Sequence, residues 1–279
     1  MPGGGGEGEG EPWTEELSSE PRASLYHNFL QLMILTLEPR ASLYHNFLSK
    51  EECNHLISLA KPRLQKSTVV DEEAGGTIKE TSGRTSSGMF LQRGQDQVIR
   101  RIEKRIADYT SVPLENGEGL QVLHYQVGQK YDPHFDYTEN GYVTKNGGPR
   151  QATLLMYLSD VEDGGETVFP SATAKSGSSH GGPAKRGVSV KPKMGDALLF
   201  WSMRPDGSRD PKSLHGASPV IKGDKWSATK WMHVHEFKVY VSAAAASPSS
   251  DAVLQEDGRR RRGTRARKPN TRVLGPDWE

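Results

Sequence analysis

The chain has 279 residues, 34% of them hydrophobic and 25% charged, with a formal net charge of +1. It is long enough for one large globular domain with tails or two small ones, and its charge gives no general pull toward nucleic acid or membrane. The single cysteine, Cys53, excludes an internal disulfide and a zinc site built on paired cysteines.

The start, MPGGGGEGEGEPW, lacks the basic and apolar regions of a secretory signal, and residues 1–19 read as disordered. The longest apolar stretch, residues 29–37, is too short to span a bilayer, so no membrane segment and no recognisable address is expected in the sequence as given. EPRASLYHNFL occurs twice, at Glu20–Leu30 and Glu38–Leu48, with QLMILTL between the copies. Two perfect copies are too few for a solenoid. Only one can take a given place in a sheet, and the second is expected there because it runs directly into a helix. Residues 1–37 are therefore expected to be a disordered and duplicated N-terminal segment.

Ser49 and Glu52 form a capping box, and Cys53, Leu56, Ile57 and Ala60 follow on one helical face before Pro62. Cys53 on that face reads as a packed thiol. A strand is predicted near Ser67–Val70, then a long mobile loop over residues 71–88. Val98, Ile99, Ile102, Ile106 and Tyr109 mark a second amphipathic helix, whose basic residues Arg100, Arg101, Lys104 and Arg105 form a solvated face. From Gly119 to Val241 short strands alternate with turn residues, ending in a long run from Lys225 to Val241. Strands in this pattern after two helices predict an α+β fold, a sandwich or jelly roll with helices on one side. Residues 171–187 read as a flexible connection with His180 exposed. Residues 242–279, where seven of the ten from Arg259 to Lys268 are basic, read as a disordered tail.

The chemistry centres on LHYQVGQKYDPHFDY, residues 123–137. On an extended backbone His134 and Asp136 project from one face and Phe135 from the other. An imidazole and a carboxylate presented together suit a divalent first-row metal, and one more His completes a facial triad that leaves three coordination positions open. His124, His215, His233 and His235 are the candidates for the third ligand, and His215 in SLHGASPVIKGDKWSATKW stands out. Lys225 shares a strand face with Ser227, Thr229 and Trp231, so an inward Lys225 is a buried cation that calls for an anionic ligand.

Four blocks, HYQVGQKYDPHFDY, GGETVFP, KPKMGDALLFW and SLHGASPVIKGDKWSATKWMHVHEF, resemble the plant type of prolyl 4-hydroxylase, an Fe(II)- and 2-oxoglutarate-dependent dioxygenase family. The likeness runs from about Glu38 to Val239 and includes RTSSGMFL near Arg84. It implies a double-stranded β-helix (jelly roll) core with supporting N-terminal helices, and a catalytic domain over residues 38–241. It also implies Fe(II) on His134, Asp136 and His215, with Lys225, Tyr125 and Thr167 at the far carboxylate of 2-oxoglutarate. Dioxygen is the second cosubstrate, and ascorbate accompanies the iron.

The implied reaction is 4-hydroxylation of peptidyl proline coupled to decarboxylation of 2-oxoglutarate to succinate. The implied partner is a proline-rich, cell-wall-type polypeptide in the polyproline II form, contacted or positioned by Arg84, Tyr131, Arg150 and Trp231. Typical members carry a membrane anchor that directs them to the endoplasmic reticulum and Golgi. No such anchor is seen here, and the duplication and basic tail also depart from the pattern. The alternatives are a catalytically impaired module that binds proline-rich peptide, and a nucleic-acid-directed dioxygenase suggested by the tail. Those last relatives commonly hold the cosubstrate with Arg, so Lys225 argues against them and no nucleic acid is expected as a partner.

Overall fold

The structure, a computed structural model of the chain, describes residues 13–19, 22–27, 31–71, 77–137, 146–172 and 187–239. Chain contacts group the described residues up to Lys238 into one compact unit. His180 and the basic tail lie outside the described residues.

Fourteen elements position the site: β1 (Gln31–Leu37), β2 (Arg40–His45), α1 (Lys50–Ala60), β3 (Gln65–Lys66), β4 (Ser87–Leu91), α2 (Gln97–Thr110), β5 (Leu120–Tyr125), β6 (Tyr131–His134), β7 (Arg150–Tyr157), β8 (Thr167–Phe169), β9 (Val188–Val190), β10 (Ala197–Trp201), β11 (His215–Ala217) and β12 (Lys225–His233). The large antiparallel sheet runs β1-β2-β10-β7-β12-β5-β4-β3, and the small one runs β6-β11-β8-β9. Together with the two helices they form the jelly roll.

Period-two alternation assigns each residue of a central strand to one of two covered faces. On one face, Leu120, Val122, Ala152, Leu154, Met156, Ala228 and Met232 pack with Leu56 of α1 and with Ile99, Ile102 and Ile106 of α2. Ser49 caps α1 through both arms of the capping box. Asp96 caps α2, accepting from the Ile99 amide at 2.8 Å. A buried ion pair also ties α2 to β12, with Lys230 Nζ 2.7 Å from Glu103 Oε1 and bonded besides to the Glu118 carbonyl. The other face of the large sheet looks toward the small sheet, and there the side chains of Lys225, Ser227, Thr229 and Trp231 meet those of Leu123, Tyr125, Thr153 and Leu155.

The second copy of the duplicated segment is the one seated in the large sheet: Tyr44 pairs with Ala197 and Ala41 with Phe200. The first copy contributes Arg22–His27 to a separate two-stranded pair with Trp13–Ser19. The expectation of disorder through residue 37 needs correcting. The spacer QLMILTL forms β1, a hairpin partner of β2, and Leu35 is buried in the inner core. An apolar run next to an open strand edge gains both burial and backbone hydrogen bonds by adding to the sheet.

Of the loop predicted over residues 71–88, residues 72–76 lie outside the described residues, and the rest is more ordered than its polar composition implied. Thr77–Lys79 pairs with Val69–Asp71, Arg84 and Ser86 are buried, and Ser87 already belongs to β4. Its polar groups are bonded across the chain instead of to water: the Thr85 amide donates to Lys130 O at 3.1 Å and the Ser86 hydroxyl to Ser67 at 3.0 Å. The last long strand ends at His233, not Val241.

Candidate active site

β6 and β11 are paired, with His134 directly opposite His215. Asp136 lies just past the end of β6, so the extended backbone expected to carry both ligands stops at His134. The three side chains still converge. His134 Nε2 stands 3.7 Å from Asp136 Oδ1, His215 Nε2 stands 3.6 Å from Asp136 Oδ2, and one ligand atom from each lies within 4.8 Å of the others. Donors bound at about 2.1 Å and at right angles around one ion stand about 3 Å apart, so small closing movements suffice to share a metal.

The remaining atoms of these side chains are fixed by their surroundings. His134 Nδ1 donates to Asp132 O at 2.8 Å, and His215 Nδ1 donates to Ser213 O at 2.9 Å. Each bond assigns the proton to Nδ1 and leaves the Nε2 lone pair facing the cluster. Burial, reinforced by His215, pushes the His134 ring down to about 3 against the opposing pull of Asp136, so it is a neutral donor at physiological pH. Burial alone opposes ionisation of Asp136, but His215, His134, Arg150 and the Thr153 hydroxyl together hold its carboxyl below the usual range. Thr153 donates to Asp136 Oδ2 at 2.5 Å. Thr153→Val is expected to weaken Fe(II) binding about 10- to 100-fold, the usual loss when a ligand's supporting bond is removed, as read by metal titration.

The other candidate ligands are engaged elsewhere. His233 meets Gly148 O through Nδ1 at 2.6 Å and Glu118 Oε1 through Nε2 at 2.9 Å, so neither ring nitrogen is open. His124 stacks on Trp226, with ring centroids 4.2 Å apart. His235, like these two, lies outside the cluster.

The cluster opens into a cavity of about 460 Å³, including its mouth, whose deep end holds Lys225. Lys225 is 2% exposed, and its Nζ donates to Gly165 O at 2.7 Å. Among the described residues no carboxylate lies within ion-pair distance of it. Burial pushes the ammonium down to about 7 against an opposing pull from Glu166. Tyr125 pairs with Lys225 across β5 and β12, and its ring centroid lies 5.2 Å from Nζ. Thr167 comes from the small sheet and accepts a 2.8 Å hydrogen bond from Tyr157, which leaves its own hydroxyl proton free to point into the cavity. A dicarboxylate reaching from the metal cluster to Lys225 would meet three donors at its far end.

The residues expected to handle peptide gather at the mouth. Tyr131 stacks on His134 with centroids 3.6 Å apart, and the Arg84 guanidinium lies 4.6 Å from the Tyr131 ring centre. Arg150 covers Trp231 at 3.9 Å and is held by Glu118 Oε1 at 2.7 Å. Arginine, histidine and burial together set that carboxylate: burial opposes its ionisation, but Arg150 and His233 hold Glu118 down to about 2. Two buried donors, Arg84 Nε and Trp231 Nε1, have no partner among the described residues.

Sequence reasoning missed Thr153, Tyr157, Glu118 and Gln121. Thr153 and Tyr157 share the inward face of β7 with Leu155, so the strand period offered a signal. Glu118 precedes β5 and offered none.

A family profile described as the 2OG-Fe(II) oxygenase superfamily matches residues 120–233, the span from β5 to the end of β12. Prolyl 4-hydroxylase 5 of Arabidopsis thaliana is 59% identical over 241 residues, covering 84% of this chain and 75% of that protein. Probable prolyl 4-hydroxylase 3 of the same plant is 64% identical over 237 residues, covering 82% of this chain and 75% of that protein. Among solved structures, the 2OG complex of the viral collagen prolyl hydroxylase from Paramecium Bursaria Chlorella virus-1 has a TM-score of 0.52 at 27% identity, covering 68% of this chain and 94% of that one.

Proposed function

Because the chain belongs to the prolyl 4-hydroxylase family within the 2OG-Fe(II) oxygenase superfamily, we propose that His134, Asp136 and His215 hold its iron and that Lys225, Tyr125 and Thr167 hold the far carboxylate of 2-oxoglutarate. The enzyme is a 2-oxoglutarate-dependent dioxygenase that hydroxylates proline and uses Fe(II), 2-oxoglutarate and dioxygen. Lys225 carries the assignment of its residues. A buried ammonium without a carboxylate partner, facing a cavity that ends in a His-Asp-His cluster, fits a dianion that also reaches the metal.

When bound, the iron activates dioxygen through decarboxylation of 2-oxoglutarate. The chain supplies the arrangement. The Asp132 and Ser213 carbonyls hold the two imidazoles in the Nε2-donor tautomer, and Thr153 turns the Asp136 carboxylate. Leu123, Leu155 and Phe200 give the cavity an apolar lining, which favours a dry reacting end. Tyr131, packed flat on His134, limits which side of the metal a peptide can approach.

The substrate we assign is a proline-rich, cell-wall-type polypeptide in the polyproline II form, bound by Arg84, Tyr131, Arg150 and Trp231. Such a chain loses little entropy on docking to an aromatic groove. Ascorbate as reductant, the lumen of the endoplasmic reticulum and Golgi as location, and residues 38–241 as the catalytic domain complete the proposal, supported by the sequence blocks shared with the plant-type enzymes. No helix among the described residues is long and apolar enough to cross a membrane. Succinate release by the purified chain with Fe(II), ascorbate and 2-oxoglutarate is expected to rise on adding decaproline. Decaproline binding without added succinate would instead mark a module that has lost turnover.

A further inference from the structure

We propose that Phe90 is a specificity-determining residue: with Trp231 it seats a second proline ring of the peptide, beyond the one that reacts, so that extended proline runs are preferred to isolated prolines. The inference rests on the peptide-binding reading above and adds to it a residue outside the cavity lining.

Alternation along β4 sorts its side chains. Met89 and Leu91 turn toward the helices, Leu91 being fully buried in the outer core. Gly88 faces the opposite way, since a Cβ placed on it would meet the cavity-lining Leu123 side chain at 2.7 Å. Phe90, two residues on, shares that inward face. It pairs with Gln121, which accepts from Arg84 Nη2 at 3.0 Å, and Gln121 in turn pairs with Thr229 of β12. Phe90 therefore continues the row of side chains that lines the site.

Although it shares that face with the buried Leu123 and Tyr125 across the sheet, Phe90 is 51% exposed. Its ring lies 6.2 Å from that of Trp231, at 39°. The short edge strand β3 pairs only with Ser87 and Gly88, so among the described residues no strand flanks Phe90 on the outer side. In this shelf of two rings Trp231 is 8% exposed with Arg150 over it, so the face open to a chain leaving the cavity mouth is that of Phe90.

The polar atoms of this shelf narrow the choice of ligand. Trp231 Nε1 and Arg84 Nε are buried donors lacking acceptors among the described residues. A run of prolines offers carbonyls and no backbone N–H, and in polyproline II those carbonyls have no internal partner. The same run presents apolar rings at a fixed rise of about 3.1 Å per residue. Buried donors beside an uncovered aromatic ring suit a ligand that brings free carbonyls and apolar rings together.

The test compares decaproline with a peptide of equal length holding one proline among Gly and Ser. For Phe90→Ala, the ratio of kcat/KM for decaproline to that for the single-proline peptide is expected to fall about tenfold, the upper range for one aromatic contact. Phe90→Trp is expected to keep the wild-type ratio. A parallel Kd measurement with fluorescein-labelled decaproline on iron-loaded protein without dioxygen should weaken by a similar factor. An unchanged ratio together with an unchanged Kd overturns the proposal, as does an equal loss toward both peptides. Wild-type protein that turns over neither peptide would sink the reading of the site, while the labelled-peptide Kd would still decide the role of Phe90. Because the ring is half exposed, Phe90→Ala is expected to fold, and its melting temperature checks this.

Discussion

Lys225→Met is expected to raise the 2-oxoglutarate concentration needed for half-maximal turnover by about two to three and a half decades. Removing one member of a buried charge pair costs about 3 to 5 kcal/mol, and each 1.4 kcal/mol is about tenfold. The same substitution should leave the cosubstrate-free protein as stable or more stable. The ammonium is 2% exposed and, among the described residues, hydrogen-bonds only the Gly165 carbonyl, so folding carries a desolvation cost that a methionine does not. Melting with and without 2-oxoglutarate separates the two effects: the variant should match or exceed wild type without the ligand and gain nothing from it.

The protonation of Lys225 adds a pH signature. Its folded pKa, pushed down to about 7 by burial, lies well below the ordinary lysine value. Below about 7 the folded protein carries the full cost of the buried charge, and that cost fades as pH rises toward the unfolded lysine pKa, so the ligand-free protein gains stability over that window. The dianion selects the charged form. Its apparent affinity should therefore be flat below about pH 7 and fall about tenfold per unit above it. A flat affinity from pH 7 to 9, measured by titrating 2-oxoglutarate, would remove Lys225 from the binding step.

The second large effect belongs to the metal cluster. His134→Ala, Asp136→Ala and His215→Ala should each abolish iron retention and peptide-stimulated succinate release. Loss of a supporting bond alone costs about 10- to 100-fold in metal affinity, so loss of a ligand must exceed that. His233→Ala should keep its iron, because both of its ring nitrogens are already bonded away from the cluster. Metal analysis after desalting decides the matter. Iron retained by His215→Ala and lost by His233→Ala would reassign the third ligand.

How far the site could be read in advance differs by residue. The two donors of HFD stand two apart, and the inward row of β12 repeats every second residue, so local period set His134, Lys225 and Trp231 on the faces that line the cavity. The helices were legible for the same reason: the capping box at Ser49 and the isoleucine stripe of α2 are short-range signals. The spacer Gln31–Leu37 was misjudged because its worth depends on an open edge supplied by Arg40–His45, which itself pairs with Ala197–Trp201 far along the chain.

By itself the sequence determined which chemistry was on offer: neutral and anionic donors for one divalent metal, a lysine set on an inward face, and aromatics spaced for a groove. Only the tertiary structure decided which donors meet and which charges stay without a partner. Pairing His134 with His215 brought one of the four candidate histidines into the cluster, and Glu118 engaged His233 and Arg150 at one stroke. Such choices depend on contacts between residues distant in the chain, where burial removes water as the alternative partner, and no local pattern records them.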